Sequence, residues 1–231
     1  MDISKPFLLI PDLQIPFENH KALYFCSYLK RHYGIPDENI LNLGDEVDQL
    51  KASGHGPSPD SPHTANSEIK AAKIALKEWV AVFPKMLVCT SNHGMRWIRK
   101  AANADIPSQM IRAYQDVLEL PDTWRYADEW TIPTPHPFKI VHGMQFGGQT
   151  PYRKAAEISD MSVAFGHLHS SQGICHIMTY DNKKRWAFNV GCLIDIDGFA
   201  FQYGKYNKFK PNLGAGVVFN GGTTPIWIPL D

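Results

Sequence analysis

Several short polar motifs in this chain combine carboxylate, amide and imidazole side chains, which are the groups that bind divalent metal ions in proteins. In chain order they are Asp12-Leu13-Gln14, Gly44-Asp45-Glu46-Val47-Asp48, Asn92-His93, His142-Gly143 and Gly166-His167-Leu168-His169. Any one of them is a weak signal, because a lone aspartate or histidine after a strand is usually only a polar cap. Together their oxygen and nitrogen ligands predict a site that holds two metal ions.

Most of these motifs directly follow an apolar run that predicts a β-strand. The runs are residues 7–10, 40–43, 86–89, 138–141 and 162–165. Ligands commonly gather beyond the carboxyl ends of strands in open α/β sheets, so we expect the motifs to meet at one edge. Alternate residues of an extended segment face the same side. Asp12 and Gln14 can therefore reach one ion, and His167 and His169 can address one cavity.

The predicted elements alternate between strands and helices at first and become strand-rich later. Helices are predicted at residues 21–33, near 67–83, within 96–120 with a break at Pro107, and at 151–159. The chain ends in a hairpin whose turn is Asn220-Gly221-Gly222. This order predicts an α/β protein in which two sheets pack face to face with helices outside. No repeat or linker divides residues 1–231, so we expect a single domain.

Composition limits the function classes. The 231 residues are 44% hydrophobic and carry 23 basic and 23 acidic side chains, so the formal net charge is zero. A protein that binds duplexes mainly through charge is usually basic, so any affinity for nucleic acid should be local. No apolar run is long enough for a membrane span, and no signal peptide is evident. The four scattered cysteines favour reduced thiols and the cytoplasm.

The same motifs resemble those of the calcineurin-like metallophosphoesterases. That family's pattern runs Asp-x-His, Gly-Asp-x-x-Asp, Gly-Asn-His-Asp/Glu, a later His, and Gly-His-x-His. The resemblance extends from residue 7 to about residue 192 and includes Asn189-Val190-Gly191-Cys192, which is similar to the family's Asn-x-Gly-Ser turn. Spacing and compact size are closest to small phage and bacterial members, and a phage protein would act in the host cytoplasm. The resemblance implies a four-layer αββα sandwich of two mixed β-sheets flanked by helices.

The resemblance also implies a phosphoester hydrolase with two divalent metal ions. The first ion would be held by Asp12, Gln14 and His169. The second ion would be held by Asn92, His142 and His167, and Asp45 would bridge both. A hydroxide between the ions would attack phosphorus in line, since such ions lower the pKa of bound water and neutralise phosphate oxygens.

Two further residues receive catalytic roles from the resemblance. His93 would protonate the leaving oxygen or stabilise charge on the phosphate, and Asp48 would orient His93. Asn92 and Arg96 are also expected to contact the substrate phosphate, and Arg99 is a weaker candidate. A solvated helix face is the competing interpretation for both arginines.

Gln14 departs from the family pattern, which has histidine at this position. A glutamine oxygen is a harder ligand than imidazole, and oxygen-rich sites favour Mn²⁺ or Mg²⁺ over Zn²⁺ and Fe. We therefore expect Mn²⁺ activation, with Mg²⁺, Fe, Ni²⁺ and Zn²⁺ as the other candidates. Two alternatives stay open: Gln14 is a neutral replacement with the metal set by availability, or the site is degenerate and inactive.

The fold and metals do not select the substrate. Three classes remain: a phosphodiesterase acting on nucleotide or single-stranded nucleic-acid diesters, a phosphomonoesterase, and a metal-binding interaction module without turnover. Residues 205–210 interleave basic and aromatic side chains, as grooves for single strands do, although an exposed hairpin would look the same. A symmetric homodimer is expected only as a base rate.

Overall fold

The computed structural model describes residues 1–54, 63–198 and 208–231. The first half of the basic–aromatic segment 205–210 therefore lies outside the described residues. Among the helices that are described, none combines the length and the apolar content needed to cross a bilayer.

Eleven strands and five α-helices make up the regular structure of the described residues. The strands are β1 Phe7–Ile10, β2 Ile40–Asn42, β3 Met86–Cys89, β4 Trp124–Ala127, β5 Glu129–Ile132, β6 Phe138–Val141, β7 Ser162–Phe165, β8 Gly173–Met178, β9 Lys184–Asn189, β10 Gly214–Phe219 and β11 Thr224–Pro229. The α-helices are α1 Ala22–His32, α2 Ala65–Val82, α3 Arg96–Asn103, α4 Tyr114–Leu118 and α5 Pro151–Ile158.

The strands form two mixed sheets. The first has six strands in the order β11-β10-β1-β2-β3-β4, and the second has five in the order β5-β6-β7-β9-β8. Strands β1 to β4 are parallel to one another, as are β6, β7 and β9. Hydrogen bonds therefore align the carboxyl ends of the strands that precede the polar motifs within each sheet.

Three apolar clusters define the layers. Side chains of both sheets fill the space between them, where the Phe7 and Phe138 rings meet edge to face at 5.7 Å. Helices α1 and α2 cover the outer face of the first sheet through residues such as Leu29 and Trp79. Helix α5 covers the outer face of the second sheet through Ala155. The predicted four-layer αββα sandwich of two mixed sheets is confirmed.

The structure differs from the sequence prediction in several places. The segment Trp124–Ala127 is a strand that the apolar pattern does not predict, and residues 96–120 hold two short helices and a 3₁₀ turn. The C-terminal hairpin belongs to the first sheet, where β10 runs antiparallel to β1. Local apolar alternation predicts a strand but cannot tell which sheet edge it will join. Helix α2 also begins earlier, because Thr64 and Ser67 form a reciprocal capping box.

Phe188 of β9 joins the sheets in the central layer. Its ring is fully buried, and a Cβ on Gly216 of β10 would lie only 2.7 Å from the Phe188 Cε1 atom. Glycine at position 216 therefore allows the aromatic ring to reach the opposite sheet.

We predict that Phe188→Ala lowers the free energy of unfolding by about 3–5 kcal/mol, because it leaves a cavity between two sheets that cannot close over it. Urea denaturation measures this change. Tyr24→Ala, at a side chain that is 71% exposed, is the control and should change stability by less than about 0.5 kcal/mol. A loss at Phe188 no larger than that of the control would contradict the central position of this ring.

Candidate metal centre

The predicted ligand residues meet where the carboxyl ends of the two sheets adjoin. Asp12 follows the end of β1, Asp45 follows β2 and Asn92 follows β3, all in the first sheet. His142 comes directly after β6 in the second sheet, and His167 and His169 follow β7. Each sheet thus contributes part of the candidate centre, and neither would contain it alone.

Asp12 connects the two sheets at this edge. Its buried Oδ2 accepts a hydrogen bond of 2.8 Å from the backbone N–H of His167 and lies 2.8 Å from Nε2 of His169. Its Oδ1 is also buried, but it has no hydrogen-bond partner among the described residues. A buried carboxylate oxygen without a partner is costly, and a bound cation would satisfy it. The chemistry of Asp12 therefore fits a metal ligand.

Gln14 lies beside the same histidine. Its Nε2 is 3.5 Å from Nε2 of His169, and rotating the terminal amide by half a turn presents the oxygen instead. The Gln14 backbone N–H donates to the Asp45 carbonyl over 2.8 Å, so the segments that follow β1 and β2 are tied together. Asp12, Gln14 and His169 thus form one group of contiguous side chains.

A second group surrounds Asp45. Nδ1 of His142 lies 2.9 Å from the Leu43 carbonyl, and its Nε2 lies 2.7 Å from Oδ1 of Asn92 and 3.3 Å from Oδ2 of Asp45. When Nδ1–H donates a hydrogen bond to this carbonyl, the ring is fixed so that Nε2 faces the other candidate ligands, as at many metal sites. Ligand atoms of Asp45, His142 and His167 all lie within 4.8 Å of one another. These residues could hold a metal ion.

The electrostatics of this group indicate a place for a cation. Burial disfavours the charged form of Asp45, but the neighbouring His142 and His93 hold its pKa well below the usual range. Burial likewise opposes a charge on His142, yet Asp45 and Asp12 raise the pKa of this histidine to about 9. Burial and the charge of His142 lower the pKa of His167. A proton on His142 supplies the positive charge that a metal ion would otherwise provide.

The backbone at three predicted ligands adopts the left-handed region, which non-glycine residues rarely enter. The φ angles are 52° at Gln14, 51° at Asp45 and 66° at His167. Such conformations cost free energy, and functional sites are one of the places where they cluster. The strain at these positions therefore agrees with a site that requires a defined geometry.

His93, Asp48 and Arg96 form a compact cluster next to Asp45. Arg96 Nη1 donates to Oδ1 of Asp48 over 2.6 Å, and Arg96 Nη2 lies 2.8 Å from Nε2 of His93. A guanidinium group can only donate, so Nε2 of His93 is the acceptor. Nδ1 of His93 lies 2.8 Å from Asp48 Oδ1, but its N–H direction gives no linear hydrogen bond. Arg96, predicted to contact substrate, here bonds to both predicted catalytic residues.

Sequence reasoning missed two buried glutamates that support these motifs. Glu46 accepts hydrogen bonds from the Tyr114 and Tyr126 hydroxyls over 2.8 and 3.2 Å, and burial raises its pKa to about 6. Glu68 of α2 accepts the backbone N–H groups of Leu50 and Lys51, which fixes the turn after Asp48. No local pattern predicts either pairing, because the partners are far apart in the chain.

Comparisons with known proteins add little to this geometry. No protein-family model matches the sequence, and no curated protein matches it either. Among solved structures, Vps29 from Chaetomium thermophilum is similar, with 9% identity and a TM-score of 0.40 over 96% of this chain and 84% of that chain. A similarity of this size does not inform on activity. The functional interpretation therefore depends on the residues themselves.

Gly166 is the position where a small substitution should disturb the centre most. A Cβ there would lie 2.2 Å from Oδ1 of Asp12, so Gly166→Ala must displace the carboxylate. We predict that its Mn²⁺ affinity falls by about tenfold or more, as happens when groups that orient ligands are changed. Titration calorimetry measures this. Gly147→Ala, which meets no atom within 4 Å, should bind normally; equal affinities would contradict the role of Asp12.

Metal binding should depend on pH through His142. The pKa of His142 is raised to about 9 in the metal-free protein, so this ring is protonated at neutral pH and must lose its proton to become a ligand. Affinity for Mn²⁺ should therefore rise with pH and level off above about pH 9, with about one proton released from His142 near pH 7.5. Calorimetry in buffers of different protonation enthalpy measures the release.

The control for this prediction is His176→Gln, at an exposed histidine of β8, which should release the same number of protons as the wild type. Affinity that stays constant from about pH 6.5 to about pH 9 would show that His142 does not lose a proton to the metal.

Proposed function

We propose that this protein is a metal-dependent phosphoester hydrolase that acts on nucleotide or single-stranded nucleic-acid phosphodiesters. The observation that carries the proposal is the buried Oδ1 of Asp12, which has no partner among the described residues and lies beside a cluster of histidine and carboxylate side chains. The order of the motifs supports it, since that order resembles the calcineurin-like metallophosphoesterases. A centre that collects carboxylates, histidines and an asparagine at strand ends suits hydrolysis that uses two ions.

In this proposal Asp12, Gln14 and His169 would hold one ion, Asn92, His142 and His167 would hold the other, and Asp45 would be shared. Bound ions would activate water and neutralise charge on the phosphate. The protein's part is to aim these ligands: the His167 N–H holds Asp12 in place, and the Leu43 carbonyl fixes the His142 ring. Gln14 adds a neutral oxygen ligand, which favours Mn²⁺.

His93 and Arg96 have different roles in this proposal: proton transfer for His93 and phosphate binding for Arg96. Arg96 retains its protons in proteins, so it can bind a phosphate oxygen but cannot protonate a leaving group. Arg96 donates a hydrogen bond to Nε2 of His93 over 2.8 Å. This nitrogen can therefore carry and transfer a proton only after Arg96 has moved away. We propose that substrate phosphate draws the guanidinium away, so that Nε2 of His93 takes up a proton from solvent and then donates it to the leaving oxygen, while Asp48 keeps the ring oriented. His93 and Asp48 thus keep the catalytic roles, and Arg96 and Asn92 remain the substrate contacts.

The decisive experiment compares bis(4-nitrophenyl) phosphate with 4-nitrophenyl phosphate, each with Mn²⁺ or Zn²⁺ added. We predict faster turnover of the diester and higher activity with Mn²⁺. Asp45→Asn should abolish metal-dependent turnover, because it removes the shared negative ligand. His93→Gln should lower kcat by about 10² to 10⁴, the range for loss of a general acid. Absorbance of released nitrophenolate measures all of these rates.

Asp116→Asn is the matched control, because it removes an exposed carboxylate outside the centre and should keep full activity. Preference for the monoester would replace this proposal with a phosphatase. Ions that bind without turnover of either ester, or of single-stranded DNA, would favour a non-catalytic binding module. Highest activity with Zn²⁺ would contradict the interpretation of Gln14.

A further inference from the structure

A cleft of about 480 Å³ opens directly beside the candidate centre. Asn92 lines it, and Oδ1 of the same residue contacts His142 within the centre. The cleft and the centre are therefore adjacent and share a residue. Its size lies within the range of cavities that hold small ligands, which is roughly 300–1,000 Å³.

One wall of the cleft is a polar face of helix α3. Arg96, Arg99, Lys100 and Asn103 all line it, and they occupy positions i, i+3, i+4 and i+7 of the helix. Residues at this spacing lie on one side of a helix, so α3 presents a row of donors to the cleft. Arg99, Lys100 and Asn103 are exposed to solvent and accessible to a ligand.

The charges in this row are not all compensated. Arg96 pairs with Asp48 at 2.6 Å. Arg99 donates to the Asn92 carbonyl over 2.6 Å, and Lys100 donates to the Lys51 carbonyl over 3.1 Å. A neutral carbonyl orients a cationic side chain but leaves its charge in place. Within the parts of the chain that the structure describes, no carboxylate pairs with Arg99 or Lys100.

We propose that this cleft is a subsite for a second phosphate of the substrate, bound by Arg99, Lys100 and Asn103. The inference rests on the proposed function and narrows its substrate class to esters that carry another phosphate next to the one that is cleaved. Arginine and lysine are the usual partners of phosphate groups. Such a phosphate belongs to a phosphorylated dinucleotide or to a longer single strand, and the chemistry of the contact is the same in both.

The test compares hydrolysis, with Mn²⁺, of thymidine dinucleotide that lacks a terminal phosphate with its 5′-phosphorylated and 3′-phosphorylated forms. We expect kcat/KM to be about tenfold higher for at least one phosphorylated form, the gain from one good charged contact. A ten-residue thymidine strand distinguishes the two sources of the second phosphate, a phosphorylated dinucleotide and a longer single strand. A further gain with this strand indicates a polymer substrate, and no further gain indicates a dinucleotide.

Two variants assign the gain to the cleft. Arg99→Gln combined with Lys100→Gln should remove the preference for the phosphorylated form. Lys100→Glu is the second variant, because it leaves the hydrogen bond between Arg99 and the Asn92 carbonyl intact, and it should reduce the preference at least about tenfold. Lys77→Glu makes the same charge reversal at an exposed lysine of α2 outside the cleft, and it should retain the wild-type preference.

A binding measurement does not depend on turnover. Fluorescence anisotropy of a labelled ten-residue thymidine strand, with metals chelated, should show weaker binding by the double variant. Its plot of log affinity against log salt should be flatter by about 0.7 for each phosphate that the variant no longer neutralises.

If aryl diesters are hydrolysed but phosphorylated and unphosphorylated dinucleotides react equally, the subsite is overturned and the proposed function stands. If no ester is hydrolysed, the proposed function fails, and equal strand binding by wild type and variants overturns the subsite too.

Discussion

The carboxylate of Asp12 is the group on which the candidate centre depends. It follows β1 of the first sheet, yet its Oδ2 accepts the His167 N–H and lies beside His169, both of which follow β7 of the second sheet. Asp12 is completely buried, so its two oxygens need partners, and Oδ1 finds none among the described residues. The αββα sandwich therefore brings its sheets together around a buried carboxylate whose second oxygen a bound cation would satisfy.

Charge balance explains several other features of this edge. Asp45 is buried like Asp12, and a raised pKa at His142 supplies the compensating proton in the metal-free protein. Left-handed backbone at Gln14, Asp45 and His167 aims the side chains inward. Each of these features costs free energy alone. They are mutually consistent because a divalent ion would relieve the repulsion between carboxylates and use the geometry that the strained backbone provides.

The surroundings of the centre change from acidic to basic within a short distance. Asp45 and Asp12 lie in the candidate centre, Arg96 stands between Asp48 and His93, and Arg99 and Lys100 face the neighbouring cleft. An acidic candidate centre beside a basic wall is the arrangement that the proposed polyanionic substrate would need. A chain with zero formal net charge thus has a local basic surface.

The sequence by itself determined the strands at the motifs, the α/β class and the residues that gather at the centre, because apolar periodicity and strand-end polar groups are local properties. The sequence also contains the polar residues from Arg96 to Asn103 at helical spacing, which is enough to place them on one side of a helix. Only the tertiary structure decided that the final hairpin pairs with β1. The same is true of the hydrogen bonds from Tyr114 and Tyr126 to Glu46, and of the hydrogen bond from Arg96 to Nε2 of His93. These pairings join residues that are distant in the chain or depend on side-chain packing, so no periodicity encodes them.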